Sequence, residues 1–582
     1  MDEAPAHRPA APGAAPPGAA PPGLAAPVMI VGAGPVGMVL ALDLAQHCVR
    51  SILVETEETS RGYPKGSTHN ARTMEHYRRL GLAGRIRSTG LRPDQPADVT
   101  YYTRIGGHQL TRIALPSSRQ TMAAVARAGV ADQVPEPLHR GNQMFVERVL
   151  YQQVLATPGI DARFGWRCTG VEEHPDRVTA VIEHVASGAR QQVEAAYLAG
   201  CDGGRSLVRD VIGVRLAGQG EFGTAYMRGP MLTSYVRIPR LKDLVDRLGW
   251  QHIVVNPELR CTFASLNGDD EFTFGTSRSS EMAGDDDVIR LARLGLGQPL
   301  DVVVLGRGEW TAALALVAES YGTSRIFLCG DSCHLFTPTG GFGMNTGIDD
   351  AANLAWKLSA VLAGWGGPGL LPSYETERKP IGHRNTAAAR LLTQSVTSLP
   401  IPLELEDLTP AGQAARERLG QLLSGFDQEF SSLGVQLGAR YDASPIVIGD
   451  GTSPPPDDPH RYVPSGCPGG RAPHVWLPGR RSLFDCLGPG LTLLQLAGQA
   501  DTEGLARAAR SQGWPVTAVR VDVPEARDLY HADLALIRPD QHIAWRGSRL
   551  PDDPWRLLAT VTGHEGRPAD AGRPAQPASA AT

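Results

Sequence analysis

One short segment constrains the fold more than any other. Val28-Met29-Ile30-Val31 reads as a buried strand, and Gly32-Ala33-Gly34-Pro35-Val36-Gly37 follows it directly. A helical stretch then runs to about Gln46, and Ser51-Ile52-Leu53-Val54-Glu55 reads as a second strand. Strand, glycine turn, helix and strand in this compass make a βαβ unit. Gly32 permits the tight turn, Gly34 lets the backbone approach a pyrophosphate, and Gly37 lets the helix pack on the sheet. Glu55 ends the second strand 18 residues after Gly37, where an acid can bind ribose hydroxyls. A purely structural glycine turn is the plain alternative. The flanking strand, helix and terminal acid make it the poorer one.

The rest of the composition narrows the class. A chain of 582 residues accommodates roughly three or four domains. Its 56 Lys+Arg and 61 Asp+Glu give a net charge of -5, so no basic excess points to nucleic acid. No apolar run approaches the ~18 residues of a membrane span, and no membrane partner is expected. Residues 1–27 hold ten Ala and eight Pro and lack the pattern of a signal peptide; they read as a disordered tail. The eight cysteines form no C-x-x-C pair, which fits reduced thiols in a cytoplasmic protein. Cys329, Cys333 and His334 are the closest His/Cys group but have no partner pair at zinc-like spacing, so no metal is expected.

The pattern divides the chain further. Residues 28–223 form a first α/β segment. Residues 224–307 read as an antiparallel sheet, with Cys261 to Leu266 and Glu271 to Phe274 flanking the hairpin turn Asn267-Gly268-Asp269-Asp270. Residues 308–400 return to α/β, with a strand Ile326 to Cys329, a glycine-rich turn and a helix from about Asp349 to Leu362. Residues 401–464 read as helical and linker sequence, 465–565 as a last module with strands at Leu491–Leu496 and Val516–Val521, and 566–582 as a flexible tail.

Two further segments sharpen the reading. Tyr197-Leu198-Ala199-Gly200-Cys201-Asp202-Gly203-Gly204-Arg205-Ser206 is an apolar strand ending in Asp-Gly. Ile326 to Asn345 is a strand ending in Gly330-Asp331 before a Pro/Gly loop. With the first motif, these resemble the three fingerprints of FAD-dependent aromatic hydroxylases, the single-component flavoprotein monooxygenases. Asn70 to Glu75, Tyr374 to Pro380 and Gly470 to Leu477 are also similar to that family, in its phenol-hydroxylase-like branch. That branch includes enzymes that tailor polycyclic aromatic natural products, antibiotics among them. The resemblance implies an α/β fold: a Rossmann-like FAD-binding domain built from two chain segments, an inserted antiparallel substrate-binding sheet and a C-terminal thioredoxin-like domain.

It also implies roles. Gly32, Ala33, Gly34, Pro35, Val36 and Gly37 would face the FAD diphosphate, Glu55 the adenosine ribose, and Gln143 the length of the cofactor. Gly330 and Asp331 would meet its ribityl or diphosphate region, and Asp202-Gly203 both FAD and NAD(P)H. Pro338 would sit beside the flavin position that carries oxygen, Met344 and Asn345 would bring backbone amides to the pyrimidine side of the ring, and Gly341 and Gly343 would also bind the cofactor. Read without the resemblance, Asp202 could end a strand, Asp331 and Asn345 could cap helices, and His334 could be a packed histidine.

Two departures stand out. Lys65 follows Pro64 where the family has arginine; it keeps the charge for cofactor handling but loses the planar fork. Gly66-Ser67-Thr68-His69 lacks the substrate-facing aspartate of some members, leaving His69 as the candidate base. The last module lacks thioredoxin's C-x-x-C and is assigned to structure or dimerisation, so a homodimer joins the expected partners. The implied reaction uses NADPH or NADH to reduce FAD, then O2 to form a flavin hydroperoxide that hydroxylates a small phenolic or polycyclic, polyketide-like aromatic substrate. Baeyer–Villiger or oxidative-decarboxylating chemistry is the alternative within flavoenzymes. A flavin-containing binding protein that shelters a reactive intermediate is the alternative outside them.

Overall fold

Ala26–Val31 is buried along its whole length because it lies near the middle of a sheet covered on both faces. The computed structural model describes residues 25–60, 62–219, 229–312, 315–430, 432–498 and 500–564. The sheet runs in the order Ile160–Phe164, Ser51–Glu55, Ala26–Val31, Arg190–Gly200, Val178–His184, Trp166–Glu173, and Ile326–Leu328 also pairs with Arg190–Gly200. Its centre is parallel, with Val28 opposite Ser51 and Tyr197, and Leu198 opposite Ile326. The first described strand begins at Ala26, two residues before the expected Val28. Most of the 1–27 tail and all of the 566–582 tail lie outside the described residues.

The parallel pairing brings together strands from both halves of the chain, because Ile326–Leu328 joins a sheet begun some 300 residues earlier. Helix Pro35–Gln46 packs against helix Phe342–Leu362 on this sheet. The second helix was expected only from about Asp349. It starts seven residues earlier because the glycines of Phe342 to Ile348 serve packing rather than chain breaking. A Cβ on Gly347 would lie 2.7 Å from Val36 and 2.9 Å from the Gly330 backbone.

The second sheet corrects the expected boundaries. Its order is Val303–Ala312, Gly229–Arg237, Glu271–Thr276, Arg260–Ser265, Gln251–Val255, Val99–Tyr102, Gln109–Ile113. Two of its strands thus come from the stretch assigned to the first α/β segment, and its last strand extends beyond residue 307. Val99–Tyr102 joins parallel to Gln251–Val255, a pairing that no local turn signal announces. Period-two alternation does the sorting here. Cys261, Phe263, Phe272 and Phe274 enter a core under helix Asp285–Leu296, while Thr262, Ala264, Thr273 and Gly275 face the other way. The expected hairpin turn is present, with Gly268 at φ +74°.

The C-terminal module has the strand order Val516–Arg520, Leu491–Gln495, Leu534–Ile537, Ile543–Gly547, with the first pair parallel and the others antiparallel. This is the thioredoxin-like arrangement the resemblance implies. It is bound to the α/β domain by buried charge. Arg72 donates to Glu75 (2.9 Å), Asp349 (3.3 Å), Gln541 (2.6 Å) and the Asp540 carbonyl (2.6 Å). Arg471 pairs with Glu75, and Arg538 makes paired contacts of 2.6 and 2.8 Å with Glu377. Arg378, fully buried, donates to Asp350 at 2.7 Å and also pairs with Asp349.

Burial by itself would raise these carboxyls, but the guanidiniums outweigh it. Arg378 and Arg72 hold Asp349 well below the usual range, and Arg538 and Lys357 hold Glu377 low. A lowered folded-state value means that the stabilisation is complete above the unfolded range and is lost as pH falls through the folded values. Stability measured by urea denaturation should therefore decline steeply below the ordinary carboxylate values of 3.8 and 4.5. Arg378→Met, which takes the shared guanidinium from two buried carboxylates, should cost about 3–5 kcal/mol at neutral pH in the same measurement. A loss within the range of an exposed ion pair would show that Arg378 does not hold helix Phe342–Leu362 in place.

Candidate functional site

The glycine turn after Ala26–Val31 shows which of its residues are bound by packing. Gly32 has φ +100°, and a Cβ there would lie 2.4 Å from the Cys201 carbonyl oxygen; one on Gly37 would lie 2.0 Å from the Gly32 oxygen. Gly34 differs: a Cβ on it would meet nothing within 4 Å. Helix Pro35–Gln46 begins beside that open space with proline in its first turn and no side chain capping it. Glu55 reaches back to the turn, its Oε2 accepting from the Ala33 amide at 2.7 Å and its Oε1 from the Glu57 amide at 3.1 Å. Val36 packs toward Gly330, whose φ is +71°.

Across the sheet, Gly330 and Asp331 sit in the short turn Gly330–Ser332, with Asp331 exposed. The Gly330 amide donates to Asp350 at 3.2 Å, and Asp350 also holds His334 at 2.6 Å. His334 is therefore a packed, hydrogen-bonded histidine. Cys333, His334 and Asp350 bring ligand-type atoms within 4.8 Å of one another, but Arg378 already occupies this carboxylate. Asp202 accepts from Ser206 Oγ (2.5 Å) and the Val208 amide (3.1 Å), so its carboxylate is engaged by its own loop. Gly203 beside it, at φ +82°, faces open space.

The Pro/Gly loop builds the other end. Gly340 (φ +82°) and Gly341 (φ +66°) turn the chain into helix Phe342–Leu362, whose N-terminus carries no side-chain cap. Gly343 and Met344 lie in its first turn. Asn345 fixes the turn by donating to the carbonyls of Gly341 (2.6 Å) and Thr68 (2.9 Å) while accepting from the Asn70 amide (2.9 Å). Gln143, at the start of helix Gln143–Ala156, gives its amide hydrogen to the Gly66 carbonyl (2.8 Å) and its side chain to Glu147 (2.6 Å).

A cavity of about 280 Å³ opens between this loop and the second sheet. Pro338, Gly340, Gly341 and Phe342 line one side, and Thr262, Ala264, Thr273 and Gly275 the other, which is the face that the strand alternation turned away from the core. Lys65, exposed, also lines it. His69 does not. It is wholly buried behind the wall, with Nε2 on the Gly141 carbonyl at 3.0 Å and Nδ1 near the Tyr77 hydroxyl. Burial, helped by neighbouring His139, pushes its pKa down to about 3. That corrects the expectation of a base at His69.

Two charged residues that the sequence reading passed over do reach the cavity: Arg140 and Glu429. Arg140 lies over the Trp250 ring, 3.8 Å from its centroid, and donates to Thr68 through Nη1. Its buried Nε has no hydrogen-bond partner among the described residues. Burial draws its pKa down to about 9. Glu429 stands in the Gly425–Phe430 turn; burial pushes its pKa up to about 7, against the pull of Arg140 and a hydrogen bond from the Gly340 amide. Glu429 falls in a stretch without motif or periodicity, so no sequence signal marked it.

Comparison with known proteins agrees with this arrangement. Residues 25–389 match the family model of the FAD binding domain, and residues 465–568 that of the aromatic-ring hydroxylase C-terminal region. The chain is 30% identical over 572 residues to the FAD-dependent monooxygenase apdD of Emericella nidulans, covering 92% of this chain and 90% of that protein. It is 31% identical over 569 residues to the tetracenomycin B2 monooxygenase-dioxygenase of Streptomyces olivaceus, covering 92% and 97%. Among solved structures, RebC with bound 7-carboxy-K252c superposes with a TM-score of 0.84 at 32% identity, covering 93% of this chain and 99% of that one.

The residues present suit FAD. Open space over Gly34 and Gly203 leaves room for a diphosphate, and two helix N-termini without side-chain caps supply donors of the right sign. Gly34→Val should fold normally, since its side chain meets nothing, yet lower FAD affinity roughly tenfold or more by filling that approach. Gly37→Val should instead unfold the domain. Equal FAD occupancy in wild type and Gly34→Val, read from the flavin absorbance of purified protein, would remove Gly34 from the site.

Proposed function

The chain belongs to the FAD-dependent aromatic-ring hydroxylases, and from that membership we propose that it hydroxylates a phenolic or polycyclic, polyketide-like aromatic substrate with NAD(P)H as reductant and O2 as oxygen source. One observation carries the proposal: the cavity has the threonine-bearing face of the second sheet on one side and the Pro338 to Phe342 loop on the other. A flat ring held there lies against the N-terminus of helix Phe342–Leu362. Relatives whose names include tetracenomycin B2 and 7-carboxy-K252c support a polycyclic substrate class.

FAD, when bound, supplies the redox chemistry and the activation of oxygen. The chain's own residues hold, orient and shield. In this reading Gly32, Ala33, Gly34, Pro35, Val36 and Gly37 receive the diphosphate, with the helix Pro35–Gln46 amides facing it. Glu55, already braced on the Ala33 amide, offers its remaining acceptor capacity to the adenosine ribose. Gly330, Asp331 and Gln143 flank the middle of the cofactor, and Gly203 offers an approach its neighbour Asp202 does not. At the ring end, the amides of Gly343, Met344 and Asn345 belong to the first turn of an α-helix, whose positive end stabilises negative charge on the pyrimidine side. Pro338 closes the reacting side of the cavity. Lys65 at the cavity edge supplies a compact positive charge for anionic cofactor groups.

The sheet face and the Pro338 to Phe342 loop enclose the cavity on two sides, so a bound ring displaces water from around an oxygen-transfer step. The C-terminal module supports the site structurally through Arg471 and Arg538. No helix among the described residues is long and apolar enough to cross a membrane, and the eight cysteines are all free, which supports a cytoplasmic location.

The test uses labelled oxygen gas with a panel of phenols and polycyclic quinones. One labelled atom should enter the ring of the product and the other should leave as water. Product oxygen derived from solvent would overturn the mechanism, and insertion into a carbon–carbon bond would replace hydroxylation by Baeyer–Villiger chemistry.

A further inference from the structure

The cavity wall is mostly hydroxyl groups, backbone and apolar surface. Among the described residues its charged ones are Lys65, Arg140 and Glu429. Arg140 and Glu429 come from stretches almost 290 residues apart in the chain, and neither belongs to the cofactor fingerprints. They nevertheless act on each other electrostatically at the edge of the turn that begins helix Phe342–Leu362. Glu429 is held there by the Gly340 amide, and the next residue, Phe430, packs edge-on against Trp250, the ring that Arg140 covers. Carboxylate, guanidinium and indole thus form one surface facing the cavity.

Arg140 is incompletely used. One guanidinium nitrogen reaches Thr68, but the buried Nε has no acceptor among the described residues. The guanidinium lines the cavity over the Trp250 ring, so an oxygen that becomes negative there meets a cation whose charge no ring can neutralise. Glu429 offers the complement, an acceptor for a hydroxyl hydrogen.

We infer that Glu429 accepts the proton of the substrate's ring hydroxyl while Arg140 holds the same oxygen as it becomes negative, so that this enzyme selects rings bearing a free, acidic hydroxyl. The inference rests on the hydroxylase reading and supplies the base which that reading lacks. In the step, the substrate O–H bond breaks, its proton forms an O–H bond on the Glu429 carboxylate, and the electron pair stays on the ring oxygen and feeds the ring. The oxygen atom and the reducing electrons come from the O2 and NAD(P)H of the proposed reaction. A ring made electron-rich in this way reacts faster with an electrophilic oxygen.

The surroundings set the pH at which this works. From strand His139–Arg140, Glu429 faces Arg140; from turn Thr339–Gly341 it faces the Gly340 amide; Lys65 is the remaining charge on the wall. Arg416, on the preceding helix Pro410–Ser424, is turned to the carbonyls of Leu405 and Asp407, and Asp427 on the same turn as Glu429 is exposed. With the Glu429 pKa near 7, the carboxylate is available above neutral pH and protonated below it.

The experiment uses the FAD-loaded protein and two probes of one shape, 2-naphthol and 2-methoxynaphthalene, titrated from pH 5.5 to 8.5. For wild type, 2-naphthol affinity should rise roughly tenfold through pH 7, because an ionised acceptor makes the stronger hydrogen bond, while the ether stays flat. Glu429→Gln should flatten the naphthol curve. Arg140→Met should move its rise to higher pH, because the cation that lowers the Glu429 pKa is gone. FAD occupancy should match wild type in both variants, which separates a local effect from misfolding. A naphthol curve that keeps its rise in Glu429→Gln overturns the inference. So does equal binding of naphthol and ether by wild type, which still leaves a hydroxylase. Failure to bind either probe, together with no labelled product from the phenol panel, overturns both readings.

Discussion

Arg378 between Asp349 and Asp350 is the contact on which the other parts of the molecule depend. All three side chains are buried within or against helix Phe342–Leu362, and charges there are tolerated only when paired and hydrogen-bonded. Asp349 faces Arg72 and His76 of helix Ala71–Arg79, while Asp350 faces the Gly330 amide and His334. The two neighbours therefore look in different directions along the same helix. One ties it to the helix that follows the Thr68-His69 strand, the other to the turn ending the Ile326–Leu328 strand. Rotating or sliding the helix would strand both carboxylates at once. Its N-terminus, a few residues away at Gly341, is held in place by that requirement, and the cavity takes its position from that N-terminus.

The same network explains why so much of the fold could be read from the sequence. Segments Asn70 to Glu75, Tyr374 to Pro380 and Gly470 to Leu477 carried the resemblance without any evident chemistry of their own. In the structure they contribute Arg72, Glu75, Glu377, Arg378 and Arg471, all partners in buried pairs. Charged residues that must find one another in a low-dielectric interior tolerate little substitution, so they leave a recognisable pattern. The glycine turn is legible for a related reason: Gly32 and Gly37 have backbone oxygens where a Cβ would stand.

What stayed hidden depends on contacts distant in the chain. Strands Val99–Tyr102 and Gln109–Ile113 have ordinary local patterns, and only their pairing with Gln251–Val255 assigns them to the second sheet. The start of helix Phe342–Leu362 was missed because glycine-rich sequence reads as loop, whereas here Gly347 permits close contact with Val36 and Gly330. His69 was a reasonable base by position, but position along a strand does not report burial. Glu429 was invisible because its meaning comes entirely from Arg140 and Gly340, which a one-dimensional pattern does not bring near it.

The contrast between the two groups of arginines separates support from site. Arg72, Arg378, Arg471 and Arg538 meet protein carboxylates with good geometry, and each ties distant segments together. Arg140 is half-buried, and among the described residues it has a ring beneath it, a hydroxyl acceptor on Thr68 and an unmet Nε. Its carboxylate neighbour has a pKa raised toward neutrality, whereas the carboxylates of the network are lowered. Saturated pairs resist change in protonation; an unsaturated pair facing a cavity is free to change it. The protein thus places its rigid electrostatics behind the cofactor helix and its responsive electrostatics in front of it. The proton transfer proposed for Glu429 draws on that division.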